Sequence, residues 1–477
     1  FAWRLSEEPF MNGTKDWLSN LKLRLSYGTS GSDNISSNLW RETWSSLGSG
    51  SNHTPINGEL GSFYRPDGLL ANSKLKWETT ISRNFGIDFG FLNNRVNGSL
   101  EVYWNTTKDL LMAVPVDNTT GYSYQFQNFG KTSNRGIELS VNVDVINKGD
   151  FRFNVGAIYN YNRNKLDELP NADQYLYSAY WCSSSLVPTN DYMFVEGKAI
   201  GLVRGFISEG YYTVDDFNYT NGQYVLKEGV PDITKALTAT YMHPYDLPAG
   251  QTAFPGAAKF RDVDESGTVD LDDATCLGEV MPRHTGSFQL NFNYKNFDLS
   301  TNFNWTAGGK VYNVAAMINA SGQEFDGIGA QRASWVADAF KVYNVNAAGD
   351  LYAVTNPDEL RALNANAKYH LPYHQSGITS SEWLENGSYL RLQTLTLGYT
   401  LPKNWLTKVH VDKIRLYLTA TNLFTITGYS GIDPEVNANP TGQSGFYSDL
   451  RIFPTLNMDF GTYPRARTFT FGANITF

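Results

Sequence analysis

The 477-residue chain contains no run of about 18 or more apolar residues, so no transmembrane helix is available to it. A barrel strand crosses a bilayer with only about 9–11 residues, of which alternate ones meet lipid, so this absence leaves a membrane barrel open. Cysteine is nearly absent. Cys182 and Cys276 lie far apart without metal-type spacing, compatible with one disulfide or with two thiols. The six histidines form no zinc pattern. With no Gly-rich phosphate loop and no nucleophile motif either, an enzyme is not expected. Cations are outnumbered, 38 Lys and Arg against 47 Asp and Glu, and no long basic run exists, which argues against a nucleic-acid partner. No leader precedes Phe1, so the expectation is a mature product, a fragment or one half of a split protein.

Aromatic residues are abundant: 29 Tyr, 28 Phe and 11 Trp make up 14% of the chain. Tyr and Trp suit boundaries where one end of the ring is apolar and the other wet, and outer-membrane barrels carry girdles of them. A mean hydropathy of -0.36 is compatible with such a wall, in which only alternate residues are apolar. An aromatic-rich soluble β protein has the same composition.

Strict period-two alternation separates the two. Leu21, Leu23, Leu25 and Tyr27 point one way, and Lys22, Arg24 and Ser26 the other. Phe85, Ile87, Phe89 and Phe91 lead through Asn93-Asn94-Arg95 to Val96, Leu100, Val102 and Trp104. Ile137, Leu139, Val141, Val143 and Val145 lead through Asn147-Lys148-Gly149 to Phe151, Phe153, Val155 and Ala157. Phe288, Leu290, Phe292 and Tyr294 lead through Lys295-Asn296 to Phe297, Leu299, Thr301, Phe303 and Trp305. Leu392, Leu395 and Leu397 precede Tyr399, and beyond 402–413 come Ile414, Leu416 and Leu418, continuing toward Leu423. Phe469, Phe471, Ala473, Ile475 and Phe477 share one face of a last strand.

This pattern predicts about a dozen antiparallel strands joined by short turns at one end. The other connections are long: 29–76, 164–283, 312–385 and 428–464. Short periplasmic turns and long extracellular loops mark a transmembrane antiparallel β-barrel of the outer membrane, whereas a β-sandwich does not segregate loop length to one end. The last strand resembles the C-terminal recognition strand of outer-membrane proteins, which places Phe477 at the true C-terminus, near the periplasmic rim. The alternative is an edge strand that happens to end the chain.

Several segments in shared order resemble the SusC/RagA family of TonB-dependent transporters. They are Leu21-Lys-Leu-Arg-Leu-Ser-Tyr-Gly28, Leu75-Lys-Trp-Glu-Thr-Thr80, Phe85-Gly-Ile-Asp-Phe-Gly90, Thr107-Lys-Asp-Leu-Leu111 and Asn134-Arg-Gly-Ile-Glu-Leu139. Later come Tyr389-Leu-Arg-Leu-Gln-Thr-Leu-Thr-Leu-Gly-Tyr399, Ala420-Thr-Asn-Leu-Phe424, Gly431-Ile-Asp-Pro-Glu435 and the terminal Phe477. The resemblance implies that residues 1–477 are the C-terminal half of a roughly 22-stranded all-β barrel with a plugged lumen. It implies that the plug, the remaining half of the barrel and the segment that engages the TonB complex lie outside this sequence. It further implies import of oligosaccharides or peptides beneath a SusD-like surface lipoprotein, in contact with outer-membrane lipid. A passive or structural barrel and a soluble glycan-binding β protein are the alternatives.

One acidic constellation, 262–273, is a calcium-loop-like insertion within a long loop. Asp262, Asp264, Ser266, Asp270 and Asp273 occupy side-chain positions 1, 3, 5, 9 and 12, Thr268 offers a carbonyl, and Gly267 allows the sharp turn. Position 12 is Asp instead of the bidentate Glu of an EF-hand, which resembles dockerin-type loops. A structural calcium ion is one reading. An acidic turn held by its own hydrogen bonds is the other. Trp40, Trp44, Tyr64, Tyr175, Tyr177, Tyr180, Trp181 and Tyr192 lie in the long loops, either to stack on sugars or to pack against loops and partner proteins.

Overall fold

In the computed structural model the long alternating segments form one 11-stranded sheet. All residues are described except 34–38, 47–53, 57–58, 62–63, 67–68, 123, 170–173, 178–191, 239–242, 322–332, 373–377, 407–410 and 437–456. The strands are β1 (Ala2–Arg4), β2 (Leu18–Ser32), β3 (Glu78–Phe91), β4 (Val96–Lys108), β5 (Lys131–Lys148) and β6 (Phe151–Glu168). They continue as β7 (His284–Tyr294), β8 (Phe297–Ala307), β9 (Tyr389–Thr400), β10 (Lys413–Thr427) and β11 (Thr468–Thr476). Each pairs antiparallel with its neighbour in sequence, an up-and-down meander.

The tight turns lie at one end, as expected. Leu92, Asn93 and Asn94 all take left-handed backbone between β3 and β4, as do Gly149 between β5 and β6 and Lys295 between β7 and β8. Positive φ is what two-residue hairpins require of their central residues. The link between β9 and β10 is longer and carries a short helix, Lys403–Leu406. The link from β1 to β2 also lies at this end, where the Leu92 N–H donates to the Trp17 carbonyl at 2.8 Å, and the remaining connections run at the opposite end. One that the sequence reading did not separate joins β4 to β5 through the hairpin Leu111–Pro115 and Tyr124–Asn128.

Bulges correct the alternation on β5 and between β9 and β10. A register shift between Asp144 and Ile146 passes the apolar face of β5 to Ile146, opposite Phe153. On β9 and β10 a shift between Leu392 and Thr394, with Asn422 at φ 51, puts Phe424 opposite Leu392 where Leu423 was expected to continue the face. An extra residue flips every side chain beyond it, so bulges preserve the apolar face where strict alternation would break.

The apolar face carries stacked cross-strand rings: Phe153 on Phe292 at 4.3 Å between centroids and Phe288 on Phe303 at 4.6 Å. Among the described residues no second sheet covers these large side chains. Ile137, Leu418, Phe469, Phe471 and Ile475 are all exposed.

Beyond the long-connection end the chain forms a packed outer layer. One core gathers Met112, Phe129, Leu166, Tyr192, Val203, Tyr312, Trp335, Trp383 and Met458, residues drawn from four different connections and the end of β6. A second core gathers Phe206, Tyr212, Phe254, Val269, Phe340 and Leu360 from two connections. They meet closely: the Phe206 N–H donates to the Thr379 carbonyl at 2.9 Å, and a side chain at Gly205 would strike that same carbonyl. Gly256, at φ +95, lies against the Phe340 ring with no room for a Cβ.

Candidate functional site: a polar sheet face and an acidic loop

The face opposite the aromatic stacks is lined by hydrogen-bonded polar groups. The Arg24 guanidinium on β2 donates to Asp88 on β3 at 2.7 Å and to Glu101 on β4 at 2.6 Å, and Asn84 donates to Glu101 at 2.8 Å. Asn154 bridges Asn142 and Asp144, Ser300 donates to Asn291, and Asn304 donates to Gln393 at 2.7 Å. Arg415 on β10 grips Asp298 on β8 with two nitrogens, at 2.9 and 2.5 Å. Most of these residues were legible only as the alternate set to the apolar ones. Their pairing across neighbouring strands satisfies the polar groups of this face.

At the outer end of this face Arg391 is fully buried. It meets Asp433, Glu435 and Thr425. In the sequence Arg391 stands inside the segment Tyr389–Tyr399. The available signal was a cation between Leu390 and Leu392 followed, some forty residues on, by two carboxylates.

The acidic loop is brought together in part. Carboxylate oxygens of Asp262, Asp264 and Asp273 all lie within 4.8 Å of one another. Glu265 (φ 61) and Gly267 (φ 86) reverse the chain between them. Ser266 sits beside this trio: its N–H donates to Asp262 at 3.1 Å and Asp264 at 3.0 Å, and its hydroxyl donates to the Thr268 carbonyl at 3.0 Å. The backbone N–H of Ser266, and then its side chain, hold the Asp264 carboxyl below the usual carboxylate range. Asp270 is turned elsewhere, capping the turn Leu271–Asp273 by accepting the Asp272 N–H at 2.8 Å. Asp273 is wholly buried and accepts from the N–H groups of Val263, Asp264 and Asp270. Thr268–Val269 pairs with Asp232–Ile233, and buried Val269 roots the loop in the outer layer.

Of the loop aromatics, Trp40 and Trp44 are exposed, and Tyr192 is completely buried in the outer-layer core, so Tyr192 packs instead of presenting a stacking surface. Tyr64, Tyr175 and Tyr177 contribute backbone to short strands. Tyr180 and Trp181 lie outside the described residues, as does Cys182, and with it the question of pairing to Cys276.

A meander with one uncovered aromatic face, one polar face and all long connections at one end defines a membrane-spanning barrel wall of the outer membrane. The family model for "TonB dependent receptor-like, beta-barrel" matches residues 3–423, and the chain belongs to that family. Within it the chain is of the SusC/RagA type. It is similar to TonB-dependent receptor P3 of Formosa agariphila, 29% identical over all of this chain and 41% of that protein. It is also similar to TonB-dependent receptor SusC of Bacteroides thetaiotaomicron, 27% identical over all of this chain and 39% of that protein. Among solved structures the RagAB peptide transporter shares the fold, with a TM-score of 0.68 at 22% identity, covering all of this chain and 43% of that one. The chain thus spans about two fifths of the length of the curated relatives it matches.

Proposed function

We propose that this chain supplies wall, lumenal lining and outer surface to a TonB-dependent importer of oligosaccharides or peptides, which a SusD-like surface lipoprotein caps. Membership of the receptor family carries the reading. The polar face, with its charged pairs Arg24–Asp88 and Arg415–Asp298, suits a hydrated passage. The packed outer layer, with exposed Trp40, Trp44, Ile432 and Tyr463, supports docking of a lid. Open sheet edges at β1 and β11 leave backbone groups that hydrocarbon cannot satisfy, so further strands complete the barrel, around a plug and with a segment that engages the TonB complex.

The loop at 262–273 is proposed to hold a structural calcium ion through Asp262, Asp264 and Asp273, with the Ser266 hydroxyl and Thr268 carbonyl beside them. A hard cation would relieve the mutual repulsion of the three carboxylates and stiffen the outer layer where Val269 anchors it.

The deciding measurement is accumulation of labelled oligosaccharide and peptide pools by cells carrying the complete receptor, with and without a protonophore. Protonophore-sensitive accumulation of one class, lost on removing the capping lipoprotein, is the expected result. Uptake that only equilibrates and ignores the protonophore identifies a passive barrel instead.

A further inference from the structure

The apolar face of β6 runs from Phe151 to Tyr161, about ten residue steps, which at about 3.3 Å each and a tilt of about 40° spans about 25 Å of membrane. That is the height of an outer-membrane barrel's apolar band. A girdle closes it at the outer boundary, where Tyr159 and Tyr161 lie against His284, and Tyr159 stacks on Trp305 at 6.1 Å.

Directly above that girdle, on the same lipid-facing side, the sequence places cations on four consecutive strands: Arg83 on β3, Lys108 on β4, Arg135 on β5, and Arg163 and Lys165 on β6. Register puts Arg135 opposite both Arg163 and Trp104. Two guanidinium groups facing each other across a ladder repel and destabilise the pair. Lys165 has Asp167 at 3.6 Å, and Arg83 reaches only the Thr106 hydroxyl at 3.4 Å. Among the described residues no carboxylate forms an ion pair with Arg83, Lys108, Arg135 or Arg163. These cations are therefore left open to an anion from outside the chain, at the depth of the outer-leaflet headgroups.

We propose that this band binds a phosphorylated lipid headgroup of the outer leaflet, with Arg135 and Arg163 as the central pair. Guanidinium groups match phosphate oxygens bidentately, and an anion between the two arginines turns a repulsive cross-strand pair into a bridge. Position favours lipid over a protein partner, because the band borders the apolar face on the outside of the wall, below the outer layer.

The test uses the complete receptor in detergent and native mass spectrometry with diphosphorylated lipid A, its dephosphorylated form and inorganic phosphate. The expected result is selective retention of the phosphorylated lipid, weakened about thirtyfold in R135Q/R163Q. R135K/R163K should keep most of it, and K148Q/K295Q, which removes the same charge from the short-turn end, should keep all of it. Without lipid, R135Q/R163Q should melt no lower than the parent, which separates lost binding from lost folding. Equal retention of dephosphorylated lipid, displacement by equimolar inorganic phosphate, or undiminished binding by R135Q/R163Q would each overturn the proposal.

Discussion

The guanidinium of Arg391 donates to Asp433 at 2.5 Å while fully buried, joining the polar face of β9 to the first turn of the connection that follows β10. Glu435 at 3.1 Å completes the clamp, and Arg465 reaches the other oxygen of Glu435 at 2.6 Å. Removing one member of such a buried pair costs about 3–5 kcal/mol, because the remaining charges stay desolvated. R391M is therefore expected to speed protease cleavage between residues 433 and 467. R391M/D433L, which removes both charges, should recover part of the loss. Time-courses of limited proteolysis on the folded receptor read this directly.

The acidic loop gives a four-sample comparison: parent and D262A/D264A, each with and without chelator. If calcium is held, chelator raises protease sensitivity of the parent loop alone, toward the level of the variant. Equal sensitivity in all four samples would leave only an acidic turn. D273A should destabilise the loop under every condition, since its carboxylate accepts three backbone N–H groups in a buried site.

Neighbouring residues on β7 face opposite media. Leu290 lies mid-strand on the apolar face and Asn291 on the polar one, bonded to Ser300. L290R should cost about 2–4 kcal/mol, the range for arginine at the bilayer midplane, and N291R much less. Heat-modifiable gel migration across a temperature series should show an earlier transition for L290R only.

Acid should loosen the outer layer through Asp216. Burial opposes ionisation of this carboxyl, but Lys259 at 2.8 Å and the Thr213 N–H at 2.7 Å outweigh it and hold it below the ordinary range. A carboxyl depressed on folding adds stability that is present above its unfolded value of about 3.9 and is lost as pH falls through the folded one. K259Q should therefore shift acid unfolding of this layer to higher pH, followed by hydrogen exchange at the amide of Tyr212.

The wall was legible because period two is a local signal: Phe85 to Phe91 or Phe151 to Ala157 declares its faces without reference to anything distant. Bulges at Gln393 and Asn422 were not, since an extra residue is recognised only against its partner strand. The outer layer was read as loops, because the residues that meet in its cores, such as Met112 and Met458 or Phe206 and Phe340, are far apart in sequence and follow no period. In the acidic loop Asp262, Asp264 and Asp273 lie together, whereas Asp270 is claimed by a local turn that competes for its carboxylate.

The shared core beneath the long connections also sets a timetable. Met112 and Phe129 pack in one cluster with Met458, more than three hundred residues later. Contacts of such sequence separation form slowly, since the entropy of closing the intervening chain is lost before they stabilise anything. The hairpins of the wall pair neighbours in sequence, so the exterior cap is expected to set after them, with Met112 and Phe129 uncovered until Met458 reaches them.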